Sequence, residues 1–338
     1  MSVLVIGAAT DYALLLIARY REELHHFDSR FDAMRVALKG VFEPIVASGL
    51  TVIAGLLVLS LSDLAQVRGL GPVSAIGILA AQFVMLTLLP AILVLVGRWI
   101  FWPRIPRHDD VDEKLTGVWH KVATSVGRNP RRTWITTSAM LLIALGFATQ
   151  LNTSGLAQTD AFTGRPDSVV GLEKLSEHFP AGQGDPTVIV APKADLDKVT
   201  SALSNVDGIS KVYPTMTGPV IVGAPAPEIK YVDDLVRIEV TLDKPADSVE
   251  AQAYVPAIRD AAHTASPTSL VGGSTAISYD LQQANQRDRN IIIPVALLVI
   301  GIILALLLRS LLAPLLLIAT TVLSFGATLG ICHLVFTL

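Results

Sequence analysis

Hydrophobic and polar positions alternate along this chain in long blocks. Five stretches carry no Asp, Glu, Lys or Arg: 44–62, 73–96, 133–151, 291–308 and 311–338. Each reaches roughly the 18 residues a helix needs to cross a bilayer. Residues 1–18 make a sixth, broken only by Asp11. The pattern predicts membrane helices over 1–19, 41–61, 73–96, 133–151, 291–308 and 311–336. A cleaved leader is disfavoured for the first, because no basic residues precede its apolar run.

Between the first two spans the pattern changes to a single stripe. Leu24, Phe27, Phe31, Met34 and Leu38 are spaced by three and four, with charges on the other face. That spacing predicts an amphipathic helix over 20–40, lying on the inner membrane surface or packed on the end of the bundle.

Residues 152–289 are soluble in character. Strands are expected at 186–192, 208–215, 233–243 and 268–272, and helices at 196–206, with Asp195 as N-cap, and 247–265. The order β-α-β-β-α-β is the split-βαβ or ferredoxin-like unit. The expected fold class is thus an α-helical membrane bundle with an inserted α+β domain. Pro294 and Pro314 each fall in the first turn of an apolar run, where a missing N–H costs nothing.

Lys and Arg set the orientation. Residues 19–40 hold five (Arg19, Arg21, Arg30, Arg35, Lys39), residues 97–132 hold eight, and 61–72 hold one, Arg68. Segments 20–40 and 97–132 are therefore read as cytoplasmic. The short loop 62–72 and the long segment 152–289 lie outside, and the Arg309–Ser310 turn lies inside.

Composition sharpens the class. Only 16% of the 338 residues are charged and 51% are hydrophobic, with a mean hydropathy of +0.55. Soluble domains carry about 25% charged residues. A net charge of −3 gives no basic field for nucleic acid. The one cysteine, Cys332, excludes an internal disulfide. The sequence has no Cys/His metal spacing, no P-loop and no dinucleotide fingerprint. No cofactor, metal or enzymatic role is expected.

Asp11 is then the outstanding residue. It falls near the bilayer midplane, where a carboxylate costs about 3 kcal/mol. Such groups face a bundle interior and mark ion pathways, and a carboxyl that switches between protonated and ionised forms is what proton-driven transport needs. Neighbours on a helix point about 100° apart, so Tyr12 must reach a different partner. A purely structural, hydrogen-bonding aspartate is the alternative. An intramembrane aspartyl protease would need two carboxylates sharing a proton, and this chain has one membrane-embedded aspartate.

"TDYALLLIARYREEL", "PIVASGLTVIAGLLVLSL", the segment ending in "GRWIFWP", "GGSTAISYDLQQANQRDR" and "LLLRSLLAPLLLIATTVLSFGATLG" occur here in this order. In them the chain resembles the MmpL family of the resistance–nodulation–division transporters. The resemblance implies twelve membrane helices in two halves, of which this chain matches the fourth to the ninth. It implies proton-driven export of lipids or other hydrophobic molecules across the cell (inner) membrane. It casts Asp11 and Tyr12 as proton-relay residues, with protons as coupling ion and a second Asp-Tyr helix beyond residue 338. A piece with half a relay is not expected to transport alone. A homo-oligomer is compatible with it. Protein-translocation or sterol-sensing relatives of the same superfamily remain the alternative function.

Overall fold

The computed structural model describes residues 2–103, 105, 118–151, 164–179, 182–218 and 227–337. The chain divides into two units. One comprises Met1–Leu151 with Arg287–Leu338, the other Asn152–Gln286.

In the first unit, α1 (Ser2–His26), α2 (Arg30–Leu57) and α3 (Ala65–Val96) pack together. Tyr12, Leu16, Tyr20 and Leu24 recur every four residues on α1 and are buried against Met34, Ala37, Val41 and Ile45 of α2 and Leu93 of α3. Small residues let the backbones close up, as they do between membrane helices. A Cβ at Gly71 would meet the Leu56 carbonyl oxygen at 2.5 Å, and one at Gly77 would meet Val5 at 2.9 Å.

The helix expected over 20–40 does not exist as one element. α1 continues to His26 and α2 starts afresh at Arg30, where the Ser29 hydroxyl accepts from Asp32 N–H. The cause is that cap, together with Arg98, whose guanidinium donates to the carbonyls of Leu24, Phe27 and Asp28 at 3.2, 2.8 and 3.3 Å. A cation there satisfies the orphan carbonyls at the end of α1. The apolar stripe is broken at the turn. Leu24 and Met34 are core, while Phe31 stays 62% exposed.

Among the described residues, five helices are long and apolar enough to cross a membrane: Ser2–His26, Arg30–Leu61, Ala65–Phe101, Ser274–Leu308 and Leu312–Thr337. α5 (Pro130–Ala148), which covers most of the expected span 133–151, is not among them. Arg131, Arg132 and four hydroxyl residues make its first half polar. Three of those hydroxyls, on Thr133, Thr136 and Thr137, donate to the carbonyl four residues back. α5 packs along α10 (Leu312–Thr337), where Gly326 faces Leu145 and Gly330 faces the Ala144 carbonyl. The remaining short helix, α4 (Val118–Arg128), precedes it.

α9 runs unbroken from Ser274 to Leu308. Pro294 therefore sits inside a helix rather than in a first turn. The helix starts twenty residues earlier because 279–290 contain neither Gly nor Pro to stop it. Pro314 does fall in the first turn of α10. Between α9 and α10, Arg309 adopts φ 49°, and Ser310 N–H donates to the Ala305 carbonyl at 3.3 Å, the six-to-one bond that ends a helix on a left-handed residue.

The second unit holds a small sheet, two helices packed on it and a further helix before it. In chain order come α6 (Asp167–His178), β1 (Thr187–Pro192), α7 (Leu196–Leu203), β2 (Ile209–Pro214), β3 (Tyr231–Val232), β4 (Leu235–Leu242), α8 (Val249–Ala265) and β5 (Leu270–Gly272). The sheet order is β2-β4-β1-β5, antiparallel throughout, with the short β3 paired to β4. Ile189 lies opposite Ile238 and Val212 opposite Val240. Alternate residues of β1 and β4 thus face Val199, Leu203, Ile258 and Ala262 of α7 and α8 in one core. The β3–β4 turn has two residues, Asp233 and Asp234, at φ 49° and 60°, the left-handed pair that a tight hairpin requires. The capping expectation for Asp195 changes. Its carboxylate accepts from Lys198 Nζ at 3.0 Å and Ser266 Oγ at 3.1 Å and makes no cap bond to α7. Ser248 caps α8, accepting from Ala251 N–H at 3.1 Å.

Candidate proton site on the first helix

The four-residue repeat that buries one face of α1 decides where its polar residues point. Tyr12 opens the buried row and is 4% exposed. Its ring packs in the core between the three helices, its polar neighbour is Ser48 of α2, and among the described residues its buried hydroxyl has no hydrogen-bond partner. Asp11, one position earlier, is exposed. It shares the uncovered side of α1 with Leu4 and Leu15, which lie seven residues before it and four after. Among the described residues its carboxylate has no hydrogen-bond or ion-pair partner. The structure therefore separates the two sequence-predicted residues. Tyr12 looks into the α1–α3 bundle and Asp11 looks away from it.

A buried polar group in such a bundle must find a partner within the protein. Gln82 shows how this unit meets that demand. It is 7% exposed on α3 and donates from Nε2 to the Ile45 carbonyl of α2 at 2.7 Å. The space for its amide is the missing side chain of Gly49. Sequence reading passed over Gln82, although it is the one amide in the charge-free run 73–96. It also passed over Asp288, which is buried at 7% exposure. Among the described residues, no group of three His, Cys, Asp or Glu side chains could hold a metal ion.

Long apolar helices, small-residue contacts between them and a buried amide bonded across the bundle define a multi-pass integral membrane protein. A sequence model of the MMPL family matches residues 1–133 and 162–338, and the chain belongs to that family. It is 47% identical over 337 residues to the membrane protein ActII-3 of Streptomyces coelicolor, covering 99% of this chain and 45% of that protein. It is 30% identical over 353 residues to the apo-petrobactin exporter of Bacillus anthracis, covering 98% of this chain and 46% of that protein. Over 225 residues it is 31% identical to the sulfolipid-1 exporter MmpL8 of Mycobacterium tuberculosis, covering 63% of this chain and 20% of that protein. The chain spans less than half the length of each of these relatives.

Proposed function

We propose that this protein is part of a proton-driven transporter that exports a lipid or another hydrophobic molecule across the cell membrane. The observation that carries the reading is the side of α1 on which Asp11 lies. A carboxylate in the apolar part of a membrane helix is costly unless another group or water serves it. Here it stands free on a face that α2 and α3 leave uncovered, while the adjacent Tyr12 is held in the core. That arrangement suits a proton carrier whose partner comes from another helix, the second Asp-Tyr helix of the whole protein, or from water. Tyr12 then fixes the rotation of α1, so that Asp11 keeps its heading.

Export, rather than protein translocation or sterol sensing, is favoured by the two relatives named as exporters, of apo-petrobactin and of sulfolipid-1. The second unit is read as a ferredoxin-like, porter-type domain on the outer side. Its antiparallel order β2-β4-β1-β5, with α7 and α8 as the two crossovers, supports the ferredoxin-like reading. The basic residues of 19–40 and 97–132 support the orientation. The packing of α5 on α10 supports α5 as a sixth span.

The test is export by the whole protein in a strain lacking its own copy. Asp11→Asn keeps the size and polarity of the side chain but cannot ionise. It should insert at normal abundance and lose export, while Tyr12→Phe keeps part of it. Normal export by Asp11→Asn at normal abundance returns Asp11 to a structural role.

A further inference from the structure

A second polar cluster lies in the first unit, where α9 meets the entry to α3. The residue preceding α3, Leu64, offers no side-chain cap. The backbone N–H groups at a helix entry need acceptors from elsewhere. Ser62 Oγ accepts from Leu64 N–H at 3.0 Å. Asp288 Oδ1, from α9, accepts from Asp63 N–H at 3.1 Å, and its Oδ2 accepts the Ser62 hydroxyl in a short hydrogen bond. Arg287 pairs with the Asp63 carboxylate, and Arg68 Nε donates to the Ser62 carbonyl at 2.9 Å. The Asp63 carboxylate thus meets the Arg287 guanidinium, while the Asp288 carboxylate is held by an N–H and a hydroxyl. Asp288 is buried although Arg287 and Arg289 on either side of it are exposed. A carboxylate withdrawn from water is tolerated only when its oxygens are bonded, and both are. Its charge also faces the positive end of the α3 dipole.

We infer that Asp288 is a joint between α9 and α3: a positioning residue that makes the entry of α3 depend on α9. The geometry supports this because Asp288 does two jobs at once. It holds the backbone at Asp63, and it orients the Ser62 hydroxyl so that its lone pairs meet Leu64 N–H. From this joint α3 runs past Ala75, Gly77 and Ile78, which pack with Val5 and Ala8 of α1, one turn before Asp11. A shift of α1 against α3 therefore has a physical route to α9. The use of that route in transport rests on the transporter reading above; the joint does not.

The experiment reads the joint without reading transport. Spin labels are placed at the exposed positions Gln66 and Asn290 of the whole protein, with Cys332→Ser, in lipid nanodiscs. The dipolar coupling should be narrow in the parent and broad in Asp288→Ala. Asp288→Asn, which keeps the size but turns an amide NH2 donor toward the Ser62 hydroxyl in place of an acceptor, should be intermediate, and it carries the test if Asp288→Ala does not fold. Leu64→Asp gives α3 a cap of its own. Added to Asp288→Ala, it should restore slow amide exchange in the first turn of α3 without restoring the narrow coupling. An unchanged distribution in both Asp288 variants overturns the proposal. So does recovery of the narrow coupling by Leu64→Asp, which would leave Asp288 serving only the start of α3.

Discussion

The amide of Gln82 occupies the volume that a side chain at Gly49 would fill, and from there it donates to the Ile45 carbonyl one turn away. α2 and α3 are thereby keyed together by one polar and one absent side chain. Gly49→Ala would place a methyl group on the Gln82 amide and drive it off its acceptor. Interhelical hydrogen bonds in membranes contribute about 0.6 kcal/mol on average and up to about 1.7. We expect Gly49→Ala to destabilise by about 1–2 kcal/mol in a reversible unfolding assay in mild detergent. In a Gln82→Ala background the same change should cost far less, because the clash is gone. Equal costs in both backgrounds would show that the two residues are not coupled.

Arg98 offers a second test at the other end of the same helices. Its guanidinium reaches three carbonyls at the end of α1 and lies 3.8 Å from Asp28. A lysine carries the charge but not the planar fork. Arg98→Lys should recover only part of the stability lost in Arg98→Met, and the whole loss should be about 1–2 kcal/mol. Hydrogen exchange in the last turn of α1 should quicken in both variants. Full recovery by lysine would reduce the role of Arg98 to its charge.

These two contacts also mark what the sequence makes legible. Five spans are visible because a charge-free run of sufficient length has few other uses, and most of the strand and helix order of the second unit is visible because strands and helices differ in period, though the two-residue β3 and its turn at Asp233–Asp234 are not. The break of 20–40 into two helices was not visible. The stripe from Leu24 to Leu38 keeps helical spacing across the turn, and the residue that stabilises the turn, Arg98, is seventy positions away. Asp288 was hidden for a similar reason. Among Gln286, Arg287 and Arg289 it looks like one more solvated charge, and only the packing of α9 on the 62–64 segment buries it. Asp11 was legible as an anomaly in an apolar run, but its heading away from Tyr12's pocket needed the four-residue row of α1 to be seen packed.

The second unit carries a pH dependence with a definite sign. Hydrogen bonds from Lys198 and then from Ser266 hold the Asp195 carboxyl below the usual carboxylate range. A depressed acid stabilises the folded state above its unfolded pKa, and the contribution fades as pH falls through the folded value. The melting temperature of the second unit in the whole protein should therefore be higher in the parent than in Asp195→Asn at neutral pH. The gap should close steadily as the solution is acidified below the ordinary carboxylate range. A gap that widens on acidification would contradict the assignment.

The α5–α10 pair gives a prediction with its own control. Gly326 and Gly330 are four residues apart on one side of α10, where they meet Leu145 and the Ala144 carbonyl of α5. Any side chain at Gly330 would overlap that carbonyl oxygen, which is backbone and cannot turn aside as the tip of a side chain can. Gly330→Ile must therefore separate the helices, at a cost of about 1–3 kcal/mol by the measure of overpacked cores. Gly146, on α5, would put its Cβ in open space, with nothing within 4 Å. There the helix propensity of alanine dominates in Gly146→Ala, which should leave stability unchanged or raise it by about 0.5–1 kcal/mol. Reversible denaturation in a mixed-micelle assay would compare both variants with the parent. If Gly330→Ile unfolds at the same denaturant concentration as the parent, the close approach of α5 and α10 at Ala144 is wrong.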